Sequence, residues 1–277
     1  MDPMKKPLFN YFVCISTVSA IALSGCNSDE PVAVGEPSEI YFESQSVIVN
    51  EGEGTVSLNV TLDKAQNVRT IVNFKVEGNA ISSLQSLRQA DYELITEPPL
   101  IIPAGETTAA IEFRILEDEV FEQEIEKIVF TMDAVLEGNA ELTNNPRSLT
   151  HTYEIQENDY RLFLEWENPE DEALDMNLYV EMPNKALLAS ENTDGFEELT
   201  IVNIRENEQY YVDIWYQDGE VETEYTLQCL RAGENAKRVL VKGHFNALNS
   251  RNERGEKATE LINNHLLVKA GRDLKAF

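Results

Sequence analysis

Two sets of residues in this chain could do chemistry: a cysteine in a small-residue setting near the amino terminus, and carboxylates gathered at turns. Cys26 ends the run Leu23-Ser24-Gly25-Cys26. Its thiol is the good nucleophile of that neighbourhood, and Ser24 and Gly25 leave a backbone slim enough for a narrow protease cleft. Asp and Glu number 50 in 277 residues against 22 Lys and Arg, giving a net charge of −28. Alternating apolar stretches place turns around Glu51, Asp91, Glu117–Glu122 and Asp159 at strand ends. A hard cation such as Ca²⁺ takes about six to eight oxygen ligands, several of them carboxylates, so loops converging at one end of a scaffold are required. The alternative is a set of solvated acidic loops, and the sequence alone leaves both readings open.

Other chemistry finds little support. His151, His244 and His265 are scattered, and the cysteines, Cys14, Cys26 and Cys229, form no Cys-x-x-Cys, so no zinc site is expected. There is no Gly-x-Ser-x-Gly elbow, phosphate loop or dinucleotide fingerprint. Carboxylates are plentiful enough to supply a glycosidase pair, but abundance says nothing about spacing. The acidic balance repels phosphate backbones, which argues against nucleic acid as a partner. The expectation is a binding or structural protein and not an enzyme.

The elements that position these residues read as strands. Thr55–Leu62 alternates with Val56, Leu58, Val60 and Leu62 on one face, and 109–116 does so with Ile111, Phe113 and Ile115. Short strands are also expected at 40–43, 46–49, 69–76, 127–132 and 149–155. From residue 160 a second series begins: 161–166 with Leu162, Leu164 and Trp166 on one face, then 174–180, 210–216, 223–230 and 238–245. The fold class expected is all-β, two tandem antiparallel β-sandwich domains over 40–159 and 160–277. The stretch 82–88, Ser-Ser-Leu-Gln-Ser-Leu-Arg, reads as an inserted polar segment with helical character that could displace Asp91. The tail 256–277 reads as a last hairpin or a docking edge.

Lys5 and Lys6 precede an apolar stretch, Leu8–Ala22, that is shorter than the ~20 residues of a membrane span. With Leu23-Ser-Gly-Cys26 behind it, this start resembles the lipobox of bacterial lipoproteins. That resemblance implies a signal peptide over 1–25, a diacylglycerol thioether with palmitate-type acyl chains on Cys26, and a membrane held through lipid. Residues 26–39, with Pro31, Gly35 and Pro37, read as a flexible tether. Asp29 and Glu30 resemble the acidic export signal of surface lipoproteins in Bacteroidota-type bacteria; a merely solvated acidic linker fits equally. The implied location is the bacterial cell envelope, at the outer membrane and its surface. Cys14 leaves with the signal, so Cys229 stands alone and reads as a core residue.

Five landmarks in order resemble the Calx-β domain: Val49-Asn50-Glu51-Gly52-Glu53-Gly54, Asp91-Tyr92, Ile102-Pro103-Ala104-Gly105-Glu106, Ile115-Leu116-Glu117-Asp118-Glu119, and Ile155-Gln156-Glu157-Asn158-Asp159. The resemblance spans 40–159 and implies that these loops meet at one pole and hold Ca²⁺. Carried over by position, the implied ligands are Glu51, Asp91, Glu117, Asp118, Glu122 and Asp159. Glu117 stands where the family has Asp, Glu157-Asn158 replaces a more acidic pair, and 122–126 is one residue longer than the family spacing. Leu164-Glu-Trp166, Leu174–Val180, Tyr210–Asp213 and Tyr225-Thr-Leu resemble prepeptidase C-terminal-type jelly-roll domains, which are non-catalytic accessories. In that second domain Trp166, Tyr179, Tyr211, Trp215 and Tyr216 either fill the core or form a sugar platform. Trp215 and Tyr216 are adjacent, so one of them faces outward, and both are the candidates to contact a glycan. A protein or a glycan is the partner class to expect.

Overall fold

The structure, a computed structural model, describes residues 36–167, 175–191, 196–218, 222–245 and 261–277. The signal-like stretch, Cys26 and most of the tether lie outside the described residues. The chain divides into a unit of residues 1–35 and a unit of 36–277, and the second holds every described residue. Among these, no helix is long and apolar enough to cross a membrane, which says nothing of strands.

The chain is all-β. Ten strands build the first pair of sheets: β1 Ser38–Phe42, β2 Ser46–Asn50, β3 Gly54–Leu62, β4 Thr70–Gly78, β5 Tyr92–Leu94, β6 Leu100–Ile102, β7 Thr108–Ile115, β8 Glu126–Glu137, β9 Ala140–Leu142 and β10 Thr150–Gln156. The sheet orders are β5-β7-β3-β1-β9 and β2-β10-β8-β4-β6. Pairing is antiparallel except at two edges, where β1 runs parallel to β9 and β2 parallel to β10. β1 starts at Ser38, two residues before the expected strand, because Ser38 and Glu39 pair with Ala140 and Glu141 of β9.

Among the described residues nine strands follow: β11 Tyr160–Trp166, β12 Asp175–Glu181, β13 Leu187–Ser190, β14 Phe196–Ile201, β15 Gln209–Asp218, β16 Thr223–Arg231, β17 Arg238–Phe245, β18 Leu261–Ala270 and β19 Asp273–Ala276. They form sheets ordered β14-β11-β16-β17 and β13-β12-β15-β18-β19, all antiparallel. The tail is the hairpin β18–β19, turning at Gly271 with φ 61°.

Period-two patterning selects the faces, as strand geometry requires. Leu58, Val60, Leu62, Ile111, Phe113 and Ile115 are buried, as their alternation predicts. Phe113 packs on Phe130 and Tyr153, with ring centroids 5.0 and 4.8 Å apart. Leu162, Leu164 and Trp166 enter a separate core with Tyr160, Tyr225 and Phe245. Cys229 is a buried free thiol in that core, pushed up to about 11 by burial. The segment 82–88 is not a helix. The Ser86 and Gln85 N–H groups both return to the Ser82 carbonyl, closing one turn, and Ser82 bridges to Tyr92. With Leu84 94% and Leu87 91% exposed, no apolar face exists to hold a longer helix down.

Candidate metal centre

One pole of the first sandwich collects chain ends from four places. β2 stops at Asn50, where a tight turn closes through Glu53 N–H to the Asn50 carbonyl at 3.1 Å. Gly52, at φ 68°, supplies the left-handed conformation this turn needs. Glu51 N–H donates to the Gln156 carbonyl at 3.1 Å, and Gly52 N–H to the Leu116 carbonyl at 3.0 Å. These two bonds fasten the turn to the end of β10 and to the segment leaving β7. Leu116 N–H donates to the Asp91 carbonyl at 2.8 Å, which brings in the residue before β5. The inserted turn at 82–88 therefore does not carry Asp91 away.

The side chains converge on the same place. Asp118 N–H donates to Glu51 Oε1 at 3.0 Å, and Val120 N–H to Asp118 Oδ1 at 2.7 Å. Asp159, fully buried, accepts from Asn203 N–H through Oδ1 at 2.7 Å. Asp91 Oδ2 accepts from Ile81 N–H. Five carboxylate oxygens at this pole are buried with no N–H or hydroxyl donor: Glu51 Oε2, Asp118 Oδ2, Glu122 Oε2, Glu157 Oε1 and Asp159 Oδ2. The amide oxygens of Asn158 and Asn203 are in the same condition. Glu51 and Glu157 stand within hydrogen-bonding reach of each other, where a proton held on Glu157 serves both. A buried acceptor left unpaired costs about 1–3 kcal/mol, and more when charged.

Electrostatics says the same thing. Burial pushes Glu157 up to about 10, with Glu51, Glu122 and Glu126 adding like-charge repulsion. Burial and then Asp91 push Glu126 to about 9. Glu122 rises to about 8 through burial and then Asp118. Asp159 rises to about 7 through burial, although the Asn203 N–H favours its charged form. Glu51, Asp91 and Asp118 are also raised, burial again being the first cause. Lys269 of β18 is a nearby cation, and Arg231 lines one small pocket with Glu157. The Lys269 Nζ is held on the Ile204 carbonyl at 2.9 Å, within electrostatic reach of Glu51 and Asp159. As the side chains stand, no group of three or more His, Cys, Asp or Glu among the described residues is arranged to hold a metal ion.

Of the six residues implied by the resemblance, Glu51, Asp118, Glu122 and Asp159 share this cluster. Asp91 lies at its edge against Glu126, engaged by Ile81. Glu117 is exposed and reaches the others only through space, acting on Glu51 and Asp159. Sequence reasoning missed Glu126 and Glu157, although a signal existed. The inward parity of β10 runs His151, Tyr153, Ile155 and continues to Glu157 and Asp159; that of β8 begins at Glu126 and runs Ile128, Phe130, Met132. An acid on a core parity at a strand end is the pattern to look for.

The other candidates lie in the second sandwich. Tyr216 is 3% exposed and packs on Phe245 at 5.5 Å between centroids, so its ring belongs to the core and not to a surface platform. Trp215, on the opposite parity, packs on Tyr179 with centroids 5.1 Å apart and the rings tilted by 52°. Tyr179 OH donates to Glu191 at 2.6 Å, and Tyr211 is exposed on the strand that carries Trp215.

No family model matches this chain, and no curated protein does. Among solved structures it is similar to the apo form of the Calx CBD1 domain, with 21% identity and a TM-score of 0.35, covering 43% of this chain and 96% of that one. It is similar to the CBD12 pair of CALX1.2 at 15% identity and TM-score 0.35, covering 71% and 82%. A structure described as a putative carbohydrate binding protein from Bacteroides ovatus matches at 9% identity and TM-score 0.33, covering 84% and 82%. All three are distant likenesses.

Proposed function

We propose that this chain is a non-catalytic, lipid-anchored lipoprotein of the bacterial cell envelope, an adhesion or assembly module whose first sandwich binds Ca²⁺ at the acidic pole. The observation that carries the cation is the set of buried, unpaired oxygens on Glu51, Asp118, Glu122, Glu157 and Asp159. Every one is a hard acceptor, which suits Ca²⁺ and not the softer metals that select sulfur or imidazole. A divalent cation would satisfy these oxygens and remove the repulsion that raises Glu122, Glu157 and Asp159. Coordination at about 2.3–2.6 Å requires the carboxylates to draw inward from their present spread. The anchoring half of the reading rests on the Leu-Ser-Gly-Cys26 sequence. It puts the pole outside the cytoplasm, where calcium is abundant enough for a site of ~10⁻⁴–10⁻³ M.

Calorimetric titration of the full chain tests the cation. Saturable binding with CaCl₂ supports the reading; no heat at millimolar Ca²⁺ contradicts it. A polysaccharide-binding role for the second sandwich is the other reading, favoured by the tilted Tyr179–Trp215 pair, with exposed Tyr211 on the same strand as Trp215. Glycan-array binding lost in Trp215→Ala would support it, and binding unchanged in that variant would count against it.

A further inference from the structure

One charged side chain of the second sandwich is buried without the partners its charge requires. β16 turns Tyr225, Leu227 and Cys229 into the core, and the same parity ends on Arg231, which is 3% exposed. Its Nε and Nη1 are buried with no acceptor. Glu234 is the carboxylate beside it. At 3.7 Å from Nη1 its Oε1 is beyond hydrogen-bond length, and its Oε2 accepts from Arg238 Nη2 at 3.2 Å. Asp273 is likewise taken by Arg238 Nη1. Arg272 and Arg238 add like charge around Arg231, so three arginines share the carboxylates of Glu234 and Asp273. Arginine does not shed its proton to escape burial, so the guanidinium stays charged. The backbone holds it in place: Ala232 N–H donates to the Asp159 carbonyl and Gly233 N–H to the Glu122 carbonyl, each at 3.0 Å.

Arg231 lines a small cavity of about 40 Å³ with Ile48, Ile125 and Ile155 of the first sandwich and Gly233 and Arg272 of the second. One water needs about 10–15 Å³ of such space, so the cavity admits a small ion and nothing as large as a sugar. We infer that this cavity binds a small monovalent anion of halide size, held by Nε and Nη1 of Arg231, with Arg272 as the second cation. Water would satisfy the two N–H groups but would leave the charge unbalanced. The carboxylates on the walls are already engaged. Glu154 pairs with Lys127 at 3.1 Å, Glu234 with Arg238, and the Glu157 carboxyl with Glu51. The isoleucine walls lower the local dielectric, which strengthens the attraction between the guanidinium and an anion. Because the walls come from both sandwiches, the bound ion ties them together at this seam. The inference stands apart from the Ca²⁺ reading of the acidic pole.

The test is thermal melting of the full chain in chelator, with sodium chloride replacing sodium gluconate at a constant ionic strength of about 0.2 M, so that screening is the same throughout. Gluconate is too large for the cavity. The unaltered chain is expected to gain at least about 2 °C in Tm, saturating with chloride, because the ion binds only the folded state. Arg231→Met keeps an unbranched stem without the charge and is expected to lose the chloride-dependent gain. Arg272→Gln alters an exposed residue, so it reports even where Arg231→Met fails to fold; its chloride midpoint is expected to rise at least about threefold. A Tm independent of chloride in the unaltered chain overturns the inference and makes water the occupant. A chloride gain that survives unchanged in Arg231→Met, or a midpoint unchanged in Arg272→Gln, overturns it as well.

Discussion

Asn203 donates its backbone N–H to Oδ1 of Asp159 at 2.7 Å, yet Oδ2 of that carboxylate stays buried with no donor. Residues 44 positions apart in sequence thus meet at the pole, and half of the carboxylate still lacks a partner. The pole is under electrostatic load without a cation, and the predictions follow from that load.

Stability should depend on pH in the direction opposite to that of a salt-bridged protein. Glu122, Glu126, Glu157 and Asp159 ionise near 8, 9, 10 and 7 in the folded chain, against ordinary values of 4.5 for Glu and 3.8 for Asp. Above the ordinary values the unfolded chain has released protons that the folded chain still holds. Stability from these groups is complete below about pH 4 and is lost as pH rises toward 7–10. Melting in a chelator should show Tm falling from pH 5 to pH 9. Saturating Ca²⁺ should flatten that slope and release protons on binding, visible as a buffer-dependent enthalpy. A Tm that rises with pH in chelator contradicts the account.

Neutral isosteres should separate stability from binding. At pH 8 Asp159→Asn removes a buried charge from among like charges, while Glu157→Gln spares the folded chain the cost of holding a proton that the unfolded chain releases, so in chelator each should stabilise by about 1–2 kcal/mol, with roughly 2–4 °C in Tm per kcal/mol. The same variants should respond less to Ca²⁺. Chemical denaturation with and without the ion reads both effects.

Gly78 ends β4 at φ 129°, and a Cβ there would lie 1.9 Å from the Lys127 carbonyl oxygen. That carbonyl accepts from Ala80 N–H at 3.2 Å, and β8, the strand that contains Lys127, carries Glu126 and Ile128 into the core. Gly78→Ala should destabilise by about 2–4 kcal/mol through backbone displacement, measured as a lower denaturant midpoint. A change under 0.5 kcal/mol would mean the two backbones are not so close.

Replacing Cys26 with Ser should leave a full-length, unlipidated precursor, because the hydroxyl does not take the place of the thiol in thioether formation. Metabolic labelling with a palmitate analogue checks this. Normal labelling of Cys26→Ser contradicts the lipobox reading.

The strands were legible where alternation is clean. Val56–Leu62 and Ile111–Ile115 present the faces their spacing demands. The short edge strands β5, β6 and β9 were not legible, since three residues carry no period. Glu51, Asp118, Glu122 and Asp159 were locatable because each follows a strand end. Glu126 and Glu157 sat in plain parity with core residues but read as surface charge. Asn203 had no local signal at all. Its bond to Asp159 comes from a loop of the second sandwich folding over the first, a relationship that only tertiary packing creates. Tyr216 and Trp215 show the converse: adjacency required one to face outward, and only the packing of Tyr216 on Phe245 decides which.

The central claim is that the pole binds Ca²⁺ in the folded chain, and Ca²⁺-dependent melting tests it most directly. Ligand that binds only the folded state stabilises by RT ln(1 + [L]/Kd), about 2.7 kcal/mol at a hundredfold excess over Kd. The account predicts that the full chain in chelator at pH 8 gains several degrees in Tm with 10 mM CaCl₂ (roughly ten- to a hundredfold over the expected Kd), and that Asp159→Asn shows a smaller gain. An identical Tm with and without Ca²⁺ would contradict it.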